Sequence, residues 1–411
     1  MKYGLIGEKL GHSYSREIHE AIADYKYELC EIPPENLDGF MRSRDFLGIN
    51  VTIPYKQAVI PYLDYISDSA KKIGAVNTVV NRDGRLYGYN TDFAGLTALA
   101  KHENIDIRGK SVLILGSGGT SKTAAAVAES LGAKNISRVS RSGKDGCITY
   151  GAAYAMADTQ IIINTTPAGM YPNVEGSAID ISKFPNLEGV IDAVYNPLST
   201  DLVLAAKARG VKAAGGLYML CAQAVCASAY FLDIDTDTQL IKTVYRKVLN
   251  DKRSIALIGM PTSGKTTVGR ILAELSGKKF IDTDDIVTEK IGMPIADYFA
   301  KYGERAFRDI ERETVFEAAK VGGSVIATGG GTVLDARNIH ALRRSSVIVF
   351  LDRSLDNLIP SDDRPLSSNR EHLEKLYRER YELYKSSSDL RADGNLDAER
   401  VAQNIWRELC K

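Results

Sequence analysis

The chain has 411 residues, 44% hydrophobic and 25% charged, a composition typical of folded globular proteins and a length that predicts two or three domains. Lys plus Arg and Asp plus Glu each number 52, so no net field recruits a nucleic-acid backbone or an anionic membrane, and any anionic ligand has to be held locally. The five cysteines show no CxxC spacing, and neither a signal-peptide core nor an apolar run of membrane-spanning length is present, which predicts a cytoplasmic protein in a reducing compartment.

Apolar β-rich runs alternate with helical stretches along most of the chain, which predicts an α/β protein with parallel sheets covered by helices on both faces. The charged stretch NDKRS at 250–254 lies between a helical pattern and a strand and predicts the main joint. Nothing in the sequence defines an oligomeric state.

In chain order, LGHSYS at 10–15 offers Ser13 and Ser15 at i and i+2, on one face if the segment is extended and suited to a substrate carboxylate. NVTIPYK at 50–56 and GYNTDFAG at 88–95 place Lys56 and Asp92 among small polar residues, a pairing able to donate a proton to a carbonyl oxygen as hydride reaches its carbon. LILGSGGTSKTAAA at 113–126 is a strand, a glycine turn and a helix start, the layout that sets a pyrophosphate on a helix N-terminus. Ser121 stands where a nucleoside-triphosphate loop needs glycine before its lysine, so the dinucleotide reading is favoured. The next strand ends in Ser140, Arg141 and Ser142 with no acid for a ribose hydroxyl, and Arg141 suits the 2′-phosphate of NADP.

With GAVNTV, NTTPAGMYP, DAVYNP and GGLYMLCAQA, these motifs stand in the order found in shikimate dehydrogenase, which residues 1–250 resemble. The resemblance implies a substrate lobe of 1–93 plus helices at about 220–250, and a Rossmann lobe of 94–219 that binds NADPH. It implies that Lys56 and Asp92 are catalytic, that Ser13 and Ser15 hold the carboxylate, and that Thr52, Asn77 and Gln223 contact ring hydroxyls. Gly116, Ser117, Gly118, Gly119, Thr120, Ser140, Arg141, Ser142 and Met219 are implied to line the cofactor site. Arg16 departs from the proline usual in the family, and the family's tryptophan-containing C-terminal motif is absent.

LIGMPTSGKTTVGR at 257–270 fills every fixed position of GxxxxGK[ST] with Gly259, Gly264, Lys265 and Thr266, after a strand and before an amphipathic helix. The backbone from Gly259 through Pro261, Thr262, Ser263 and Gly264 to Thr267 is expected to cradle ATP phosphates, with Lys265 neutralising them and Thr266 on Mg²⁺. FIDTDDI at 280–286, GERAFRDIE at 303–311, ATGGG at 327–331 and DDRPLSS at 362–368 follow in the order of shikimate kinase, which residues 254–411 resemble, implying a P-loop domain with a parallel sheet. That resemblance implies Asp284 at the acceptor hydroxyl, Arg308 and Arg380 on the carboxylate, Gly330 and Gly331 donating N–H groups, Arg364 over the transferred phosphoryl group, and Asp282 beside Thr266 at the metal. Asn357 departs from the adenine-stacking arginine that the lid often carries.

The product of the first half would be the substrate of the second, with small-molecule partners only. A quinate or cyclitol dehydrogenase joined to another kinase, and an inactive metabolite sensor, are the competing readings. Lys56, Asp92, Lys265, Thr266 and Asp284 argue against a sensor, which needs no proton-transfer or phosphoryl-transfer groups.

Overall fold

Runs of β-branched and leucine residues without polar alternation, such as Ser111–Leu115 and Ser254–Ile258, are buried at every position, as strands covered on both faces must be. The computed structural model describes residues 1–11, 13–360 and 369–410 and arranges their strands in three sheets. The chain divides into two compact units, Met1–Val248 and Leu249–Lys411.

In the first unit one sheet runs in the order Tyr27–Glu31, Tyr3–Gly7, Gly48–Val51, Thr78–Arg82, Arg85–Tyr89, Tyr65–Ile66. It is mixed, whereas the alternation of elements predicted a parallel sheet. Gly48–Val51 meets Thr78–Arg82 antiparallel, and Thr78–Arg82 turns straight back into Arg85–Tyr89. The cause of the second pairing is the two-residue turn Asp83–Gly84, whose φ values of 50° and 79° match strand twist and leave no length for a crossover helix.

The other sheet of this unit, in the order Lys212–Ala214, Gly189–Asp192, Ile161–Asn164, Ser111–Leu115, Asn135–Val139, is parallel throughout and carries an apolar cluster on each face. The helix Leu217–Leu232 serves both sheets. Its Tyr218, Met219, Ala222 and Val225 pack with Val112 and Ile114, whereas Ala227 and Phe231 pack with Leu5, Tyr27 and Val80. A lobe division at residue 220 falls inside this helix.

The second unit has one parallel sheet in the order Lys279–Asp282, Ser324–Ala327, Ser254–Ile258, Ser346–Asp352, Leu390–Asp393, with apolar clusters on its two faces. The charged stretch at 250–254 is not an irregular joint: the helix Thr238–Lys252 runs through it and Ser254 opens the next strand, which leaves Arg253 alone between elements. Among the described residues no helix is long and apolar enough to cross a membrane.

Two candidate active sites

Lys56 follows the strand Gly48–Val51, and Asp92 sits in the first turn of the helix Thr91–His102, where the helix dipole favours a carboxylate. Lys56 Nζ stands 2.6 Å from Asp92 Oδ2, with only 13% and 9% of the two side chains exposed. The same Nζ donates to Thr120 Oγ1 at 3.4 Å, in the first turn of the helix Gly119–Ser130. Asn90 caps the helix that carries Asp92 by accepting from Phe93 N–H, and its amide donates to the Ala75 carbonyl.

Around this pair lies a buried polar network. Asn77 Oδ1 accepts from Thr91 N–H at 2.7 Å, and Asn77 Nδ2 and Thr91 Oγ1 both donate to Gln223 Oε1, at 3.5 and 3.3 Å. Asn50 Nδ2 donates to Thr78 Oγ1 and takes Tyr27 O–H on its own oxygen. Thr52 closes the strand beside them, its N–H donating to Ile6 O. Asn50, Thr78 and Thr91 are members of this network that sequence reasoning did not single out, although all three stand in or beside the quoted motifs.

Ser13 and Ser15 do not lie along an extended segment. Tyr14 has φ −86° and ψ 1°, and Ser15 opens the helix Ser15–Ile22, donating its N–H to Ser13 Oγ. Both hydroxyls therefore sit at a helix N-terminus, and Tyr195 is hydrogen-bonded to Ser13. Burial pushes the Tyr195 phenol up, against the pull of that bond. The loop carrying Tyr195 is anchored by Asp192, whose carboxylate accepts from Thr200 Oγ1, Asn164 Nδ2 and Val194 N–H, and whose pKa burial raises to about 6. Arg16, the departure from the family pattern, donates its Nε to Tyr27 O.

The dinucleotide loop fits its expected ligand. Gly116 has φ 121° and a Cβ there would stand 2.5 Å from Thr165 Oγ1, whereas a Cβ on Gly118 would meet nothing within 4 Å, the open space a pyrophosphate needs above a helix start. Ser117 and Gly118 are exposed, and Gly119 and Thr120 partly so. Gly116 N–H donates to Val139 O, which sets Ser140, Arg141 and Ser142 at the same sheet end as the loop. Ser140 Oγ accepts from Gly143 N–H and shapes that turn, while Arg141 is exposed. Met219 lies in the core at 7% exposure rather than openly in the loop.

In the second unit the loop after Ser254–Ile258 arches over Lys265, whose Nζ donates to the Gly259 and Met260 carbonyls at 2.9 and 2.8 Å. Thr262 Oγ1 and Ser263 Oγ are buried without a hydrogen-bond partner among the described residues, and Thr262 takes φ 62°. A loop with two orphaned hydroxyls and a left-handed residue fits a phosphate chain that would satisfy them. Pro261 is buried, and Thr267 faces outward in the first helical turn. Thr266 Oγ1 donates to Asp282 Oδ2 at 2.8 Å, and Asp282 Oδ1 caps the next helix by accepting from Asp284 N–H. A hydroxyl and a carboxylate in contact here fit the small set of oxygen ligands that Mg²⁺ takes from a protein beside phosphates.

The glycine run 329–331 is pressed from three sides. A Cβ on Gly329 would stand 2.6 Å from Glu311 Oε1 and 2.8 Å from Asp284 Oδ1, one on Gly330 would meet Pro261 at 2.9 Å, and one on Gly331 would meet Arg308 Nη1 at 2.0 Å. Arg308 is not a free guanidinium: it pairs with Glu311 at 2.7 Å and Glu304 at 3.2 Å. Burial works to lower the Arg308 pKa, and the two glutamates outweigh it and raise it. Burial likewise lifts Glu311 against the pull of Arg308. Arg380 is buried, donates Nη1 to the Gly330 carbonyl at 3.0 Å, and has an Nε without a partner among the described residues. Tyr384 O–H donates to the same carbonyl. Glu311 and Tyr384 were missed from sequence, and Arg364 lies outside the described residues.

A dinucleotide loop facing a Lys–Asp pair, followed by a phosphate loop facing two arginines and a carboxylate, defines a nicotinamide-dependent dehydrogenase joined to a small-molecule kinase. Residues 5–79 match the family model of the shikimate dehydrogenase substrate binding domain, and residues 261–410 match that of shikimate kinase. The shikimate dehydrogenase (NADP(+)) of Clostridium beijerinckii is 40% identical over 259 residues, which span 59% of this chain and 96% of that one. Among solved structures, shikimate dehydrogenase 1 of Peptoclostridium difficile aligns with TM-score 0.57 at 38% identity over 60% of this chain and 98% of its own. Shikimate 5-dehydrogenase of Thermus thermophilus, in complex with NADP(H) and shikimate, aligns with TM-score 0.55 at 28% identity over 60% of this chain and 99% of its own. The chain thus belongs to the shikimate dehydrogenase family and carries, after that part, a shikimate kinase domain, so that one polypeptide joins two enzymes of the shikimate pathway.

Proposed function

We propose that the first unit reduces 3-dehydroshikimate to shikimate with NADPH and that the second phosphorylates shikimate at its 3-hydroxyl with ATP. NADPH, when bound, supplies the hydride. The charge that grows on the carbonyl oxygen is met by the Lys56 ammonium, which donates a proton to it, while Asp92 at 2.6 Å keeps that ammonium oriented. Asn77, Gln223 and Thr52 face the ring hydroxyls, and Ser13 with Ser15, backed by Tyr195, takes the carboxylate. Gly116 through Thr120 hold the pyrophosphate, Ser140 to Ser142 the adenosine phosphate, with Arg141 selecting NADPH over NADH. Met219 supports that site from beneath. The observation that carries this reading is Lys56 Nζ reaching both Asp92 and Thr120: the proton donor stands at the first turn of the dinucleotide helix.

In the second unit Asp284 accepts the proton of the acceptor hydroxyl, Gly330 and Gly331 line the ring, and Arg308 with Arg380 holds the carboxylate. ATP supplies the phosphoryl group and Mg²⁺, on Thr266 and Asp282, neutralises its charge when bound. Lys265 exchanges its two carbonyl partners for phosphate oxygens. Two guanidiniums at the acceptor select an acid through charge-assisted bonds.

The test measures NADPH oxidation with 3-dehydroshikimate, and ADP release with shikimate and with its uncharged methyl ester. Arg308→Ala is expected to lower kcat/KM for shikimate by about 10- to 150-fold, the equivalent of roughly 1.5–3 kcal/mol for one charged hydrogen bond, with KM for ATP unchanged. Wild type that phosphorylates the ester as well as the acid would overturn the acceptor assignment.

A further inference from the structure

We propose that Arg353 is a nucleotide-binding residue of the kinase domain, with its guanidinium on the phosphate chain of ATP; the proposal rests on the phosphate-loop reading above. Arg353 follows the strand Ser346–Asp352, which pairs in parallel register with Ser254–Ile258, so that Arg353 and the loop opening at Gly259 leave the same sheet end side by side. The two lie close: Arg353 Nη1 is 3.9 Å from where a Cβ on Gly264 would stand, at the residue that caps the helix Lys265–Ser276.

The side chain is held for this position. Its Nε donates to the Asn357 carbonyl at 2.9 Å, which leaves both terminal nitrogens for another partner. The turn around it is pinned by one oxygen: Asn395 Oδ1 accepts from Ser354 N–H at 3.0 Å, Ser354 Oγ at 2.8 Å and Asn357 Nδ2 at 2.8 Å. Gly394 packs against the Arg353 backbone and Cβ, where a side chain would come within 3.2 Å. Among the described residues the Arg353 guanidinium meets no carboxylate, unlike Arg308, Arg370 and Arg391 in the same unit.

A half-buried cation without a counter-ion among the described residues, oriented at one nitrogen and set beside a helix N-terminus whose loop holds two orphaned buried hydroxyls, is complementary to a polyphosphate. Lys265 supplies one positive charge to that loop, and Arg353 supplies a second from the neighbouring strand. Asn357, the departure noted in the sequence, serves here through its backbone carbonyl as the holder of Arg353.

The experiment is calorimetric titration of the full chain with MgATP and, separately, with inorganic tripolyphosphate, both without acceptor, for wild type, Arg353→Ala and Arg353→Lys. Arg353→Ala is expected to weaken both ligands by about 10-fold, with Arg353→Lys intermediate because it keeps the charge and loses the fork. KM for shikimate and the dehydrogenase rate are expected to stay unchanged. If Arg353→Ala fails to fold, the uncharged Arg353→Gln replaces it. Unchanged affinity for MgATP overturns the proposal, and so does weakened MgATP with unaltered tripolyphosphate, which would put the contact on the nucleoside. Because no acceptor is present, these outcomes are independent of whether shikimate is the substrate.

Discussion

A Cβ on Gly331 would stand 2.0 Å from Nη1 and 2.4 Å from Cζ of Arg308, while the backbone there, with φ −98° and ψ −5°, suits any residue. Alanine at this position therefore meets the mobile end of a side chain rather than backbone, and the guanidinium moves while the fold holds. Gly331→Ala is expected to raise KM for shikimate about 10- to 100-fold through the displaced carboxylate partner, with dehydrogenase activity untouched and the melting temperature within about 2 °C of wild type. Steady-state kinetics beside a melting curve checks this, and an unaltered KM would mean that Arg308 is not used where it stands. The run ATGGG was legible as a set of backbone donors. Its more specific role, keeping Asp284, Glu311, Pro261 and Arg308 at close range, was not, because contact across a glycine leaves no trace in the glycine itself. Glu311 was illegible for a related reason. In GERAFRDIE three acids share one helix, and only the packing of Thr332 against that helix, with a bond of 3.3 Å to Glu311, singles out the one that is buried.

The helix Ser15–Ile22 shows what was lost at the scale of elements. Its N-cap residue is Tyr14, which makes no side-chain cap bond, so the hydroxyls of Ser13 and Ser15 read as an extended pair, and the helix is stabilised mainly by tertiary packing. At its centre His19 is fully buried, stacked on Tyr27 at 3.9 Å and 3°, sharing a hydrogen bond with Tyr25, and close to Phe231. Burial lowers its pKa to about 3, against a smaller upward pull from Asn50. The unfolded chain, with an ordinary histidine near 6.5, therefore takes up a proton that the native chain refuses, and stability falls as pH drops below about 6.5 toward 3. By pH 4.5 the loss is on the order of 2–3 kcal/mol. His19→Gln is expected to flatten the wild-type decline in urea midpoint between pH 6.5 and 4.5. An imidazole resonance of His19 that titrates near 6 in the native protein would contradict it. The Asp83–Gly84 hairpin, by contrast, was written plainly in NRDGRLYGY and passed over because the βα alternation on either side is stronger.

At the scale of the whole molecule the order of the two halves was legible from motifs, whereas the form of the joint at NDKRS was not, because its charge resembles a linker and in fact belongs to a helix end. The contacts of those residues inside the second unit argue for a specific cut. Lys252 O accepts from Gly323 N–H at 2.8 Å, Asn250 O accepts from Lys278 Nζ, and Arg253 donates to Leu409 O at 3.1 Å. Gly323, with φ 68°, comes so near that a Cβ would stand 2.3 Å from Asp251 O. Residues 250–253 are thus part of the kinase core, and we propose that residues 249–411 fold independently of 1–248. Such a fragment is expected to phosphorylate shikimate at the full-length rate. A fragment of 254–411 loses the partners of Gly323 N–H, Lys278 and Leu409 O, about 0.5–1.5 kcal/mol each, and is expected to melt roughly 5–10 °C lower while keeping its KM values. Thermal melts of the two fragments beside their ADP-release rates decide the matter: equal melting temperatures would remove residues 250–253 from the core, and insolubility of both, with a single cooperative transition in the whole chain, would mean that the kinase depends on the dehydrogenase to fold.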